Sequence, residues 1–378
     1  MSPLFVYHSR YDRYDFGADH PFSPKRQAML FSLLEALGHP VDLTAPSVAT
    51  RADVARVHDA AFIDAVAAAS RGEATPQAKA YGLDTMDVPL FEGMDAAARG
   101  LVGGTLFGAR CILEGRAARV LQCGGGLHHA QRAMASGFCV YSDLSVAIHA
   151  LRDAGERVAY IDIDVHHGDG VQALHYEDPG VLALSLHESG RYLFPGTGGV
   201  HEVGVGAGEG TTLNVPLEPF TEDESYIETF ERVVPFALER FQPDVLVVQC
   251  GADAHFSDPL ADMLLTTRAY ETIFAQLVDL ADEHTQGRAL FTLGGGYQPE
   301  ATARIWALLV GALCAVELPN DIPGVWRQQW SSDTHGLPSE TLRDPADKTF
   351  DVPRRASINE QNARASKRVL ELVAPYWY

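Results

Sequence analysis

Short apolar runs rich in Val, Ile and Leu recur along the chain, at residues 118–122, 158–163, 181–185, 245–249 and 289–293, after an earlier one at 4–8. Most are separated by segments whose apolar residues fall at helical spacing, such as 144–154, 225–240 and 268–283. Parallel strands need a long crossover between them, usually a helix. The alternation therefore predicts an α/β fold: a mostly parallel central sheet with helices on both faces. In such sheets, sites gather just beyond the carboxyl ends of the strands. Every suggestive polar cluster in this chain sits there.

The remaining segments fit around that plan. Helical spacing at 26–37, 50–57, 60–69 and 94–113 predicts four helices, and 11–24 reads as a long polar and aromatic loop. No internal repeat is visible. From about Asn320 the chain turns polar and irregular, then ends in a helical pattern over 358–373. We expect one α/β domain over 1–320, with 321–378 as a C-terminal extension packed on it.

Composition narrows the partners. The 378 residues are 46% hydrophobic and 21% charged, which excludes general disorder. The 29 Lys and Arg against 50 Asp and Glu leave a formal net charge of −21. Such a surface repels phosphate backbones, so no nucleic-acid partner is expected, and a lysine-bearing peptide suits it better. The five cysteines form no CxxC pair, so neither a zinc knuckle nor a disulfide framework is indicated. The first residues lack the apolar core of a signal peptide, and the apolar run 305–318 is too short to span a bilayer. A cytoplasmic protein with no membrane contact is the expectation.

The strongest chemical signal is Tyr160-Ile161-Asp162-Ile163-Asp164-Val165-His166-His167-Gly168-Asp169-Gly170, entered directly from an apolar strand. Side chains alternate on a strand, so Asp162, Asp164 and His166 share one side while extended geometry lasts, and His167 takes the other. Two carboxylates converging with an imidazole are costly without a cation, and Asp164 and His166 can reach a common metal such as zinc. Asp253, at the end of a strand in Gly251-Ala252-Asp253-Ala254-His255, can complete a set of two aspartates and one histidine with an open position. An open position marks a catalytic rather than a structural zinc site. Gly124-Gly125-Gly126-Leu127-His128-His129 supplies paired histidines suited to metal binding, acid–base work or both. Tyr297, after Gly294-Gly295-Gly296, offers a phenol able to donate to developing negative charge.

Taken together, GGGLHHA, SGFC, DIDVHHGDG, SLHESGRYLFPGTG, GADAHFSDPL and LGGGY resemble the zinc-dependent histone deacetylase superfamily. DHPFSPKR, LFPGTG, NVPLEPFTEDESY and the extended tail are most similar to its bacterial acetoin-utilisation deacetylases. The likeness covers essentially the whole chain.

The resemblance implies an arginase/deacetylase-like fold and one Zn²⁺ on Asp164, His166 and Asp253. It implies His128 backed by Asp162, His129 backed by Asp169, and Tyr297 as the catalytic tyrosine. Each carboxylate would fix its histidine's tautomer and favour the charged form. Phe138, beside Gly137, and Phe194 would wall an acyl-lysine channel, with Asp87 at its rim and Leu260 where several relatives carry methionine. A K⁺ or other monovalent cation would take Asp162, Asp164, His166, Ser185 and Leu186. The activity implied is deacetylation of acetyl-lysine in proteins, with an acyl-CoA synthetase among the expected partners. Acetylpolyamine deacetylation, a non-catalytic acyl-lysine binder and an arginase-like di-manganese hydrolase are the alternatives. The last needs more bridging aspartates than Asp164 and Asp253 offer.

Overall fold

The structure is a computed structural model that describes residues 2–73, 75–334 and 336–377. Its strands are β1 (Leu4–Val6), β2 (Leu43–Thr44), β3 (Arg119–Gln122), β4 (Val158–Asp162), β5 (Val181–Glu188), β6 (Thr212–Leu217), β7 (Val245–Gln249) and β8 (Ala289–Thr292). They form one sheet in the order β2-β1-β3-β8-β7-β4-β5-β6, and every neighbouring pair is parallel.

Alternation along each strand sends its residues to the two faces of the sheet. In β4, Ala159 and Ile161 enter one core with residues of the helices Lys25–Ala36, Asp223–Phe241, Thr267–Thr285 and Pro299–Cys314. Val158 and Tyr160 enter the other, against the helices Met94–Leu113 and Asp143–Asp153. Strands covered on both faces must be apolar at nearly every position, which is why they read as continuous Val, Ile and Leu runs.

Two strands escaped the sequence reading. Leu43–Thr44 is too short to carry a period. Thr212–Leu217 contains Asn214 and Pro216, which argue against a central strand, and β6 is indeed an edge. Proline is tolerated there because no further strand needs its missing N–H.

The apolar run from Ile305 lies within the helix Pro299–Cys314, which opens with Pro299 in its first turn and is capped by the Gln298 side chain on the Ala301 N–H. Its Ile305, Trp306, Leu309 and Val310 are buried, so it is a core helix. Among the described residues, no helix is long and apolar enough to cross a membrane. Beyond residue 320, the helix Arg355–Val373 lies against β6 and Asp223–Phe241. Asn362 anchors it, accepting from the Glu218 N–H at 2.9 Å and donating to Thr221 Oγ1 at 2.8 Å.

Candidate active site

Four consecutive strands of the sheet, β3-β8-β7-β4, deliver the sequence-flagged clusters to one edge. His128 and His129 follow β3, Tyr297 follows β8, Asp253 follows β7, and Asp164 and His166 follow β4. Parallel strands put all four carboxyl ends on the same side, so segments far apart in sequence meet there.

Asp164, His166 and Asp253 are buried, and their ligand atoms lie within 4.8 Å of one another. His166 Nδ1 is 3.2 Å from Asp164 Oδ1 and 3.2 Å from Asp253 Oδ2. The other carboxylate oxygens are already committed. Asp164 Oδ2 accepts from Gln249 Nε2 at 2.7 Å and from the Gly295 N–H at 2.9 Å. Asp253 Oδ1 accepts from the Val165 N–H at 2.9 Å. The remaining oxygen of each aspartate and Nδ1 of His166 stand around a common point, with Asp164 Oδ1 also accepting the His166 N–H at 3.0 Å. Gly295 closes the cradle: a Cβ there would stand 1.9 Å from Asp253 Oδ2.

Without an ion, this group balances its charge with protons. Burial opposes charge on His166, yet Asp164 and Asp253 outweigh it and push the imidazole up to about 10. Burial, together with Asp164, raises Asp253 to about 7. This donor set of two carboxylates and one imidazole fits a divalent ion such as zinc.

Extended geometry ends sooner than the alternation argument assumed. β4 stops at Asp162 and the chain bends through Asp164, Val165 and His166. Asp162 therefore turns away to its own partners, accepting from Tyr160 Oη at 2.5 Å and pairing with His128 Nδ1 at 2.8 Å. His167 goes elsewhere as expected, between Thr197 and Gln172.

The two histidines form parallel pairs with opposite electrostatics. His129 Nδ1 is 2.7 Å from Asp169 Oδ1. Burial lowers His128, but Asp162 and Asp164 raise it further, to about 9. Burial also lowers His129, the charge on His128 adds to it, and Asp169 is outweighed, so His129 falls to about 3. Asp162 and Asp169 thus each push their histidine towards the charged form, but at His129 burial and the neighbouring His128, whose ring is 4.0 Å away, outweigh Asp169.

Around this pair stand the aromatic groups. The Phe194 ring is 5.0 Å from that of His129 and 6.4 Å from that of His166. Phe138 packs 5.5 Å from the Tyr297 ring, which is itself 6.4 Å from His166. Phe138 holds a left-handed φ of 65°, fixed by Tyr14 Oη donating to its carbonyl at 2.6 Å. Before it, Gly137 has φ 55°, and a Cβ would meet His129 Cδ2 at 2.1 Å. Asp87 Oδ2 accepts the Gly137 N–H at 2.7 Å, so one of its oxygens fixes this turn. Leu260 is partly buried and donates its N–H to Asp258 Oδ1. Ser185 pairs in register with Asp162 across β4 and β5, which brings the two strand segments of the expected monovalent site side by side.

Arg26 was quoted in DHPFSPKR without a role. It is buried, and its Nη1 donates to the carbonyls of Gly294 and Gly296 at 3.0 and 2.8 Å, bracing the loop that carries Tyr297. Asp258 was missed as well, and its Oδ2 accepts the Tyr297 N–H at 2.6 Å. A carboxylate just past a ligand aspartate was the available signal.

Comparison with known proteins agrees with this geometry. A histone deacetylase domain model matches residues 20–313. The chain is 39% identical over 376 residues to the acetoin utilization protein AcuC of Bacillus subtilis (strain 168), covering 97% of this chain and 96% of that one. It is 35% identical over 373 residues to AcuC of Staphylococcus xylosus, covering 97% of each. An HDAC homologue complexed with SAHA superposes with a TM-score of 0.84 at 27% identity, over 96% of this chain and all of that one. An HDAC homologue from Aquifex aeolicus gives a TM-score of 0.83, with the same identity and coverage.

Proposed function

Because the chain belongs to the histone deacetylase family and is similar to AcuC proteins, we propose that it is a zinc-dependent hydrolase that removes acetyl groups from lysine side chains of proteins. The observation that carries the proposal is the buried meeting of Asp164, His166 and Asp253 beside two carboxylate-backed histidines and a tyrosine. When bound there, a divalent ion would polarise an amide carbonyl and acidify a water.

The chain's own groups have separable tasks. Asp169 holds His129 through Nδ1 at 2.7 Å, which leaves Nε2 to accept a proton from water and return it to the leaving amine. Asp162 pairs with His128 Nδ1 at 2.8 Å and, against the lowering by burial, pushes it towards its charged form. Burial, with Asp253 and Asp164 nearby, holds the Tyr297 phenol well above its usual range, so it stays protonated and can donate to the oxyanion. Phe138 and Phe194 suit the uncharged stem of an acylated lysine better than a free ammonium, whose desolvation would be costly.

We place the enzyme in the cytoplasm, acting on metabolic proteins such as an acyl-CoA synthetase, with a monovalent cation at Asp162, Asp164, His166, Ser185 and Leu186. The test is turnover of acetyl-lysine peptides beside acetylpolyamines, with and without chelator. Chelator-sensitive turnover of the peptides supports the proposal. Exclusive turnover of acetylpolyamines overturns the protein substrate, and chelator-resistant turnover overturns the metal.

A further inference from the structure

Asp344 lies in the C-terminal extension that follows residue 320. Its side chain is only 7% exposed. Oδ2 accepts from His255 Nε2 at 2.9 Å and from the Thr267 N–H at 2.9 Å. Oδ1 accepts from Arg304 Nη1 at 3.0 Å, and the neighbouring Leu342 carbonyl takes the same nitrogen at 3.2 Å. The Asp344 N–H donates to Thr267 Oγ1 at 2.7 Å. Arg304 also pairs with Glu300 at 2.7 Å, so its charge is balanced from both sides.

The two arms of this carboxylate lead to different active-site loops. His255 sits in the tight turn between Asp253 and Asp258, where the Asp258 N–H donates to the His255 carbonyl at 2.9 Å. That turn presents Asp253 to the metal group and Asp258 to the Tyr297 N–H. Arg304 is in the helix Pro299–Cys314, which begins two residues after Tyr297. A single tail residue therefore joins the loop after β7 to the helix that follows the loop after β8.

We propose that Asp344 is a positioning residue that, through His255 and Arg304, holds the Asp253 turn and the Tyr297 loop at their working separation. A mere packing contact would not need a charged acceptor with both oxygens engaged. Losing one arm removes a hydrogen bond from a buried network, and the loops gain freedom they lack in the intact one. The proposal rests on the metal reading of Asp164, His166 and Asp253.

The experiment uses the full chain and Zn²⁺ alone, titrated against a chromophoric chelator, together with kcat and KM on an acetyl-lysine peptide. In His255→Ala, Zn²⁺ affinity and kcat should each fall about 10–100-fold, the range typical of residues that support metal ligands, while KM stays close to the wild-type value. His255→Gln keeps a donor at the reach of Nε2 and should restore most of both. Asp344→Asn reads the same pair from the tail side and should weaken Zn²⁺ similarly. If these variants lose only thermal stability, and keep wild-type Zn²⁺ affinity and kcat, the positioning role is overturned. Wild-type protein that binds no Zn²⁺ would overturn the metal reading as well.

Discussion

The Tyr297 N–H donates to Asp258 Oδ2 at 2.6 Å, which ties the loop after β8 to the loop after β7 through main chain rather than through the phenol. The phenol takes no part in this tie. In Tyr297→Phe the backbone tie and the ring contact with Phe138 remain, so the protein should fold and bind metal normally. An interaction made mainly in the transition state is lost, and kcat should fall about 10²–10³-fold with little change in KM. Single-turnover rates beside peptide affinity check this, and an unchanged rate would show that Tyr297 only packs.

Removing a ligand aspartate tests the metal group directly. Asp253→Ala leaves Asp164 and His166 as the remaining donors, too few to hold zinc tightly. Metal content after dialysis and turnover should both collapse. Full metal with normal turnover would contradict the assignment.

Gly137 has a sharper steric consequence. A Cβ there would lie 2.1 Å from His129 Cδ2, on a backbone with φ 55°. Gly137→Ala should displace the imidazole from Asp169 and reduce kcat strongly. The cost in stability should be about 1–3 kcal/mol, as for other overpacked sites. Parallel activity and denaturant-unfolding measurements separate the two effects, and an equal loss in both would argue against local displacement.

A hydroxamate on a linear apolar linker should inhibit strongly, chelating the ion while the linker lies between Phe138 and Phe194. Titrating activity against linker length checks the walls. Equal potency for a hydroxamate without a linker would count against the channel.

His58 predicts an acid sensitivity unrelated to the metal. It is buried, donates through Nδ1 to the Gln131 carbonyl at 2.9 Å, and accepts the Ser142 N–H at Nε2 at 2.9 Å. Protonation would set N–H against N–H, and burial lowers the group to about 4 despite Gln131 and Asp59, with Arg132 also disfavouring charge. An unfolded histidine titrates near 6.5, so the unfolded chain binds the proton first as pH falls. The stabilisation from neutral His58 is complete above about pH 6.5 and is lost as pH drops towards 4, an effect on the order of 3 kcal/mol. Unfolding free energies of His58→Gln should sit below wild type at pH 7.5, with the gap narrowing by pH 4.5. A gap independent of pH would refute the linkage.

Much of this molecule was legible before any coordinates. Val and Ile runs separated by helix-length crossovers admit few arrangements other than a parallel sheet, and a carboxylate-rich motif at a strand end marks which edge carries chemistry. The residues of Asp164, His166, Asp253, His128, His129 and Tyr297 announce themselves because their types and local spacing are unusual for buried segments. What packing alone decided is how those groups differ from one another. His128 and His129 have the same neighbour type and are shifted in opposite directions, since each one's field depends on which carboxylates and rings surround it in space. The Asp87 hold on the Gly137 turn, the brace from Arg26, and the Asp344–His255 contact across 89 residues are equally invisible in a string. Local sequence specifies ligand types and strand ends through short-range sterics and periodicity. Through-space electrostatics and the pairing of distant loops exist only once the sheet has brought its carboxyl ends together.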